Sequence, residues 1–159
     1  MKDNSRTNEA DIPDYQLTQF ESLISDLFRC CQERAQYQSE KFQLPDAEIR
    51  CLLLFGKSRY LTSKRIAYKL NVVKSRVTKI VDGLVEKKFL KRVKDPEDSR
   101  ITLLSLTPEG QKRMDTIREF LNYVHRETLR QFTSDQRKTV LEDLHLLRSS
   151  MLAVKELMV

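Results

Sequence analysis

Residues 61–107 read LTSKRIAYKLNVVKSRVTKIVDGLVEKKFLKRVKDPEDSRITLLSLT. Thr62 stands where a helix begins, and its hydroxyl oxygen can accept from the free N–H groups of the first turn. Leu61 before it and Ile66 four residues after it have the spacing of a hydrophobic staple. Ile66, Ala67 and Leu70 form one apolar stripe at helical spacing. Asn71 tolerates the left-handed conformation and ends this helix in a turn. A second helix is predicted from Lys74 to Lys88. Val77, Ile80, Val81, Leu84 and Val85 recur at three- and four-residue steps and make one face to bury. Two strands follow, Leu90–Lys94 and Ile101–Leu106. The loop between them, Asp95-Pro96-Glu97-Asp98-Ser99-Arg100, is built from turn-forming residues. The pattern is a helix-turn-helix with a wing.

The polar face of the second helix begins with Lys74, Ser75, Arg76, Thr78 and Lys79. A recognition helix places its first residues against base edges in the major groove. There Arg can bridge guanine O6 and N7, and Ser or Thr can bond to several bases. Thr62, Ser63, Lys64 and Arg65 are placed to contact phosphate from the first helix. Lys94 and Arg100 are the candidates on the wing, with Asp98 holding the arginine or the loop backbone. From Lys57 to Arg100 there are 14 Lys and Arg against five Asp and Glu, a net of +9. The whole chain carries +6, so the remainder is −3. The positive charge is concentrated where duplex DNA would lie, and phosphate neutralisation supplies much of the binding in such proteins.

Several motifs of this stretch carry a family resemblance. They are Leu61-Thr62, Ile66-Ala67, Leu70, Ser75, Val77-Thr78-Lys79, Val81-Asp82, Leu84 and Glu86-Lys87-Lys88. The wing Asp95-Pro96-Glu97-Asp98-Ser99-Arg100 and the segment Leu106-Thr107-Pro108-Glu109-Gly110 continue the pattern. Together they resemble the MarR family of bacterial winged helix-turn-helix regulators, and the Asp98-Ser99-Arg100 wing is the most specific part. The resemblance implies a homodimeric transcription factor acting on a partly palindromic operator. Such factors are usually repressors released by a small ligand or an oxidant. The chain departs from the family pattern at Val73 and Lys74, where Ser and Pro often precede the recognition helix. It also has Asn71 and Phe89 where Gly is common.

The chain has 159 residues, 40% apolar and 33% charged, with three Gly and four Pro. This is a helix-rich composition. The sequence pI of about 9.3 fits a nucleic-acid partner. No apolar run is long enough to cross a bilayer, and MKDNSRTNEADIPD lacks an apolar signal core, so a cytoplasmic protein is expected. Residues 1–14 read as a flexible amino-terminus. A long helix is expected from Tyr15 to Lys41, with Leu17, Phe20, Ile24, Leu27, Phe28, Cys31 and Ala35 on its apolar side. Pro45 suits the first turn of the next helix and Gly56 its carboxy-terminal cap. The residues between, Ile49 to Phe55, are apolar nearly all round and belong at the centre of the subunit.

Thr107 and Pro108 open another long helix, reaching Phe132, with Met114, Ile117, Leu121 and Val124 on its stripe. Thr133-Ser134-Asp135-Gln136 has the spacing of a capping box. The last helix carries Val140, Leu144, Leu147, Met151, Val154 and Met158 in steps of four and three, a seam that wants a partner helix. The predicted fold is therefore mainly α with a small β wing. Residues 45–107 form the winged helix-turn-helix, and residues 15–44 and 108–159 the flanking dimerisation helices.

Cys30, Cys31 and Cys51 make an odd count that suggests no disulfide framework. One or two of them read as buried thiols acting as small hydrophobes. The alternative is a thiol-based redox sensor, but family sensors of that kind place the reactive cysteine nearer the start of the first helix. His125 and His145, twenty residues apart, are no local metal pair. No metal or other cofactor is expected. No nucleophile–base pattern or Gly-rich phosphate loop points to an enzyme. Phe28, Phe42, Phe55 and Tyr60 are aromatic candidates for lining an effector pocket, and a small aromatic effector is expected. The competing reading from another class is a winged-helix protein–protein adaptor without DNA specificity.

Overall fold

The computed structural model describes residues 12–158, so the expectation for the first eleven residues lies outside it. The chain forms six α-helices and one two-stranded antiparallel sheet among these residues. They run α1 (Asp14–Phe42), α2 (Asp46–Leu54), α3 (Ser63–Leu70), α4 (Lys74–Glu86), β1 (Leu90–Lys94), β2 (Thr102–Leu106), α5 (Pro108–Arg130) and α6 (Ser134–Leu157).

Local chemistry sets several of the ends. Thr62 accepts from Arg65 N at 3.2 Å, and Asn71 closes α3 in the left-handed region at φ 53°. Thr107 accepts from Gly110 N at 2.9 Å, with Pro108 in the first turn of α5. Thr133 and Gln136 form a complete capping box at the start of α6. Reciprocal bonds of this kind satisfy N–H groups that a helix start leaves unpaired.

Other ends depart from the expected bounds. Gly56 does not cap α2 in the left-handed region. The helix tightens instead into a 3-10 turn over Phe55–Lys57, and the missing side chain of Gly56 leaves room for the Arg118 guanidinium. Pro45 precedes α2, its carbonyl accepting from Glu48 N and Ile49 N, and does not enter the first turn. The recognition helix stops at Glu86, because Lys88 turns left-handed at φ 62°. Strand β2 begins one residue late. Ile101 closes the wing loop, donating to Asp98 O and accepting from Asp95 N.

The core gathers around α2, which packs on α1, α3, α4 and α5. Ile49, Cys51 and Leu52 from α2 are buried with Ile66 and Leu70 of α3, Val77, Val81 and Leu84 of α4, and Met114 and Ile117 of α5. Leu61 joins them from an isolated bridge to β2, exchanging backbone bonds with Leu104 at 2.8 and 3.0 Å. One charge enters this region. Glu48 of α2 is buried and meets Lys87 Nζ, at the exit of α4, at 2.9 Å. It lies over Gly83, where a Cβ would strike its carboxylate. Glu48 Oε1 is paired with Lys87 in this way while Oε2 is buried without a hydrogen-bond partner, and the contact links the end of α4 to the core.

The terminal helices are packed differently. No residue of α6 is buried, and α1 buries only Gln38 and Phe42 near its end. Leu17, Phe20, Leu27 and Phe28 on α1, and Leu144, Met151 and Val154 on α6, are exposed. Phe20 and the α6 seam border an open apolar trough of about 620 Å³. This stripe is a large apolar area that the described residues leave uncovered, and covering each of its side chains would be worth about 1.5–3 kcal/mol.

Candidate nucleic-acid interface

The buried stripe of α4 turns the other side of the helix outward. Lys74, Ser75, Arg76, Thr78 and Lys79 are all exposed, while Val77, Ile80, Val81 and Leu84 face the core. Val73, at the N-cap, offers no side-chain bond. The Thr78 hydroxyl donates to its own helix, at Lys74 O, 3.2 Å away. On α3, Ser63, Lys64 and Arg65 are exposed, and Thr62 is half-buried with its oxygen engaged as the cap.

The wing is a short ribbon, Leu90 opposite Leu106 and Lys94 opposite Thr102. Its loop organises its own acids. Asp95 Oδ1 accepts from Glu97 N at 2.9 Å. Asp98 accepts three times from Arg100: the backbone N–H and Nε reach Oδ1 at 3.0 Å, and one terminal nitrogen reaches Oδ2 at 3.1 Å. The Arg100 side-chain bonds, and then its backbone N–H, hold the Asp98 carboxyl below its usual range, and Asp98 raises Arg100 in return. A depressed carboxylate contributes above its unfolded pKa and is lost as pH falls through the lowered one, so the latch is fully engaged at neutral pH. Two of the three loop acids therefore direct their carboxylates to donors of the loop itself. Arg100 itself remains 89% exposed in its side chain.

Sequence reasoning missed Arg92. This β1 residue is paired with Asp82 on the outer face of α4 and joins wing to recognition helix. The sign of the pair was readable in the sequence. The ten-residue separation gave no hint of contact, because it depends on how β1 turns back along α4.

The candidate aromatic residues do not converge. Phe42 is in the core, edge-on to Phe120 at 5.6 Å, and Phe28 is exposed on α1. Phe55 and Tyr60 do share a cleft of about 330 Å³ with Arg59, Lys91 and Gln111. Of the three thiols, Cys51 is buried and Cys30 and Cys31 are exposed. Burial first, and then the charge of Glu48, pushes the Cys51 thiol up to about 12. It is a protonated core group at neutral pH and a poor nucleophile. His125 lies 3.4 Å from Arg34, and among the described residues no group of three or more His, Cys, Asp or Glu is arranged to hold a metal. No helix there is long and apolar enough to cross a membrane.

Residues 44–102 match the model of the MarR family. The chain is 24% identical over 136 residues to the uncharacterised HTH-type transcriptional regulator YdgJ of Bacillus subtilis, across 86% of this chain and 77% of that one. A MarR family protein from Bacillus stearothermophilus has the same fold at TM-score 0.77 and 16% identity, over 89% of this chain and 99% of that one. A variant of MepR from S. aureus, bound to an oligodeoxyribonucleotide, aligns at TM-score 0.57 and 19% identity, over 83% and 97% of the two chains.

Proposed function

We propose that this chain, matched over residues 44–102 by the MarR family model, is a MarR-type transcriptional regulator that acts as a homodimer on a partly palindromic duplex site in the cytoplasm and represses the adjoining gene. The observation that carries this reading is the outer face of α4. Lys74, Ser75, Arg76, Thr78 and Lys79 stand together on one exposed surface, held by a helix whose other side is locked into the core. Thr62, Ser63, Lys64 and Arg65 lie one helix back and would take phosphate. Lys94 and Arg100 extend the cationic surface through the wing, toward a minor groove whose negative potential favours arginine. The DNA-bound MepR neighbour supports this use of the fold.

Arg76 is in the first turn of α4 on the exposed side. Arg76→Ala is expected to cost about 1–3 kcal/mol at the cognate site and relax preference at one position in each half-site. Half-sites should lie about one helical turn apart, since two recognition helices must enter successive major grooves on one face. Equal weakening on cognate and random duplexes would make Arg76 a phosphate contact.

The wing offers a sharper test, because two neighbours of opposite charge should fail in the same direction. Arg100→Ala should weaken binding and reduce the salt slope by about one contact. Asp98→Ala removes a negative charge, yet it also removes the acceptor of three bonds that shape the loop. It is expected to weaken binding as well. Tighter binding by Asp98→Ala in a salt titration would discard the bracing role, and an unchanged slope for Arg100→Ala would discard its contact.

A small ligand would release the protein from its operator. The Phe55–Tyr60 cleft, with Arg59 and Lys91 beside it, suits an aromatic acid. Such a ligand must bind the DNA-incompetent state better, since equal affinity for both shifts nothing. A panel of phenolic and carboxylate compounds should contain one that weakens operator binding. If none does and oxidation of Cys30 or Cys31 does, the thiol-based reading replaces this one.

A further inference from the structure

The exit of the recognition helix is fastened to the terminal helices by Arg113. This α5 residue donates through a terminal nitrogen to the carbonyl of Phe42, the last residue of α1, at 2.9 Å. That carbonyl belongs to the negative, unpaired end of the helix, where a cation is favoured. The same guanidinium lies 5.5 Å from the centre of the Phe89 ring, within reach of a cation–π contact. Phe89 is the last residue before β1, and its backbone is fixed on both sides. Its N–H donates to Leu84 O at 2.9 Å and its carbonyl accepts from Thr107 N at 3.0 Å. The adjoining Lys88 is left-handed, and its carbonyl accepts from the Thr107 hydroxyl at 2.6 Å. Gly110 closes the junction, lying so near Phe89 that a side chain would strike its carbonyl.

Arg113 thus joins the end of α1 and the start of α5 to the segment that fixes how α4 leaves the reading head. Its Nε is buried without a hydrogen-bond partner. A methionine would fill similar space and spare the unpaired donor, but it would strip the Phe42 carbonyl of its partner and break the link from Phe42 to Phe89. We propose that Arg113 is a positioning residue for DNA reading: through Phe42 and Phe89 it sets the angle of the reading head on the terminal helices. In a dimer that angle fixes the separation of the two recognition helices. The inference rests on the dimeric, operator-binding reading above.

The test uses the duplex that the wild-type protein selects from a random library, together with versions whose central spacer is one or two base pairs longer or shorter. Wild type, Arg113→Met, Arg113→Lys and Phe89→Leu are compared on this series, on random DNA, and by thermal melting. The wild type should prefer one spacing steeply. Arg113→Met and Phe89→Leu should lose about tenfold of the discrimination against altered spacers, with binding to random DNA unchanged. Arg113→Lys, which keeps the charge but not the planar fork, should restore part of it. A folded Arg113→Met with the wild-type spacing profile would overturn the proposal, as would equal weakening on every duplex. Should Arg113→Met fail to fold, Arg113→Lys and Phe89→Leu decide by the same criteria. A wild type that binds well but without any spacing preference contradicts the dimeric-operator reading itself, and the proposal with it.

Discussion

Leu144→Asp combined with Met151→Asp is expected to convert the protein into a folded monomer whose affinity for its operator falls about a hundredfold or more. Both side chains are half-exposed on α6, at 50% and 53%. They belong to a seam whose steps of four and three require a partner helix. None of the buried core residues lies on α6, so charges placed there should leave the subunit folded. Among the described residues nothing covers the apolar face of α1 either, and a two-fold axis would let both helices bury their faces against a second copy. The loss in affinity follows from bivalency. Two linked reading heads bind more tightly than one by about 10²–10⁴ without any new contact. Sedimentation and a binding titration on the selected duplex would check this. A double variant that remains dimeric and binds fully would remove α6 from the interface.

Gly110→Ala is expected to destabilise the protein by about 2 kcal/mol, against the usual sign for a helical glycine. On an exposed helix the change would gain about 1 kcal/mol, because alanine is the better helix former. Here the new Cβ would sit far inside contact distance of the Phe89 carbonyl and close to its Cα. The obstacle is backbone, already bonded to Thr107, and cannot swing away. Overpacking of that kind costs about 3 kcal/mol at the upper end of its usual range. A drop in Tm of roughly 4–8 °C is the corresponding readout. A rise in Tm would mean that α5 can move off the wing junction without cost.

Gly110 also marks the limit of what the sequence could disclose. Thr62, Asn71, Thr107 and the Thr133–Gln136 box were legible because caps are local: donor and acceptor are three or four residues apart. The stripe of α4 was legible because period and burial are the same information. The outward face of Lys74, Ser75, Arg76, Thr78 and Lys79 followed from it. Gly56 was misread because its reason is Arg118, sixty-two positions away, and a carboxy-terminal cap is the commoner use of glycine. Lys88 in the left-handed region was illegible for a similar cause. Lysine has no preference for that conformation, and its carbonyl is held there by the Thr107 hydroxyl across the wing. Arg113, Glu48 and Arg92 are likewise defined by partners on other elements. Residue types along the chain carry the elements and the charged face, while their relative orientation is written in pairs that only folding brings together.

The most direct test is binding measured against salt. The protein's occupied sites in its own genome would be mapped, and a duplex of one site titrated beside a scrambled duplex of equal length at several salt concentrations. Two half-sites about one helical turn apart are expected. The protein should prefer the occupied site by about 10³ or more over the scramble, and lose affinity steeply with salt on both duplexes. Equal affinity for the two at every salt concentration would contradict this expectation and leave a winged-helix adaptor in place of a reader of sequence.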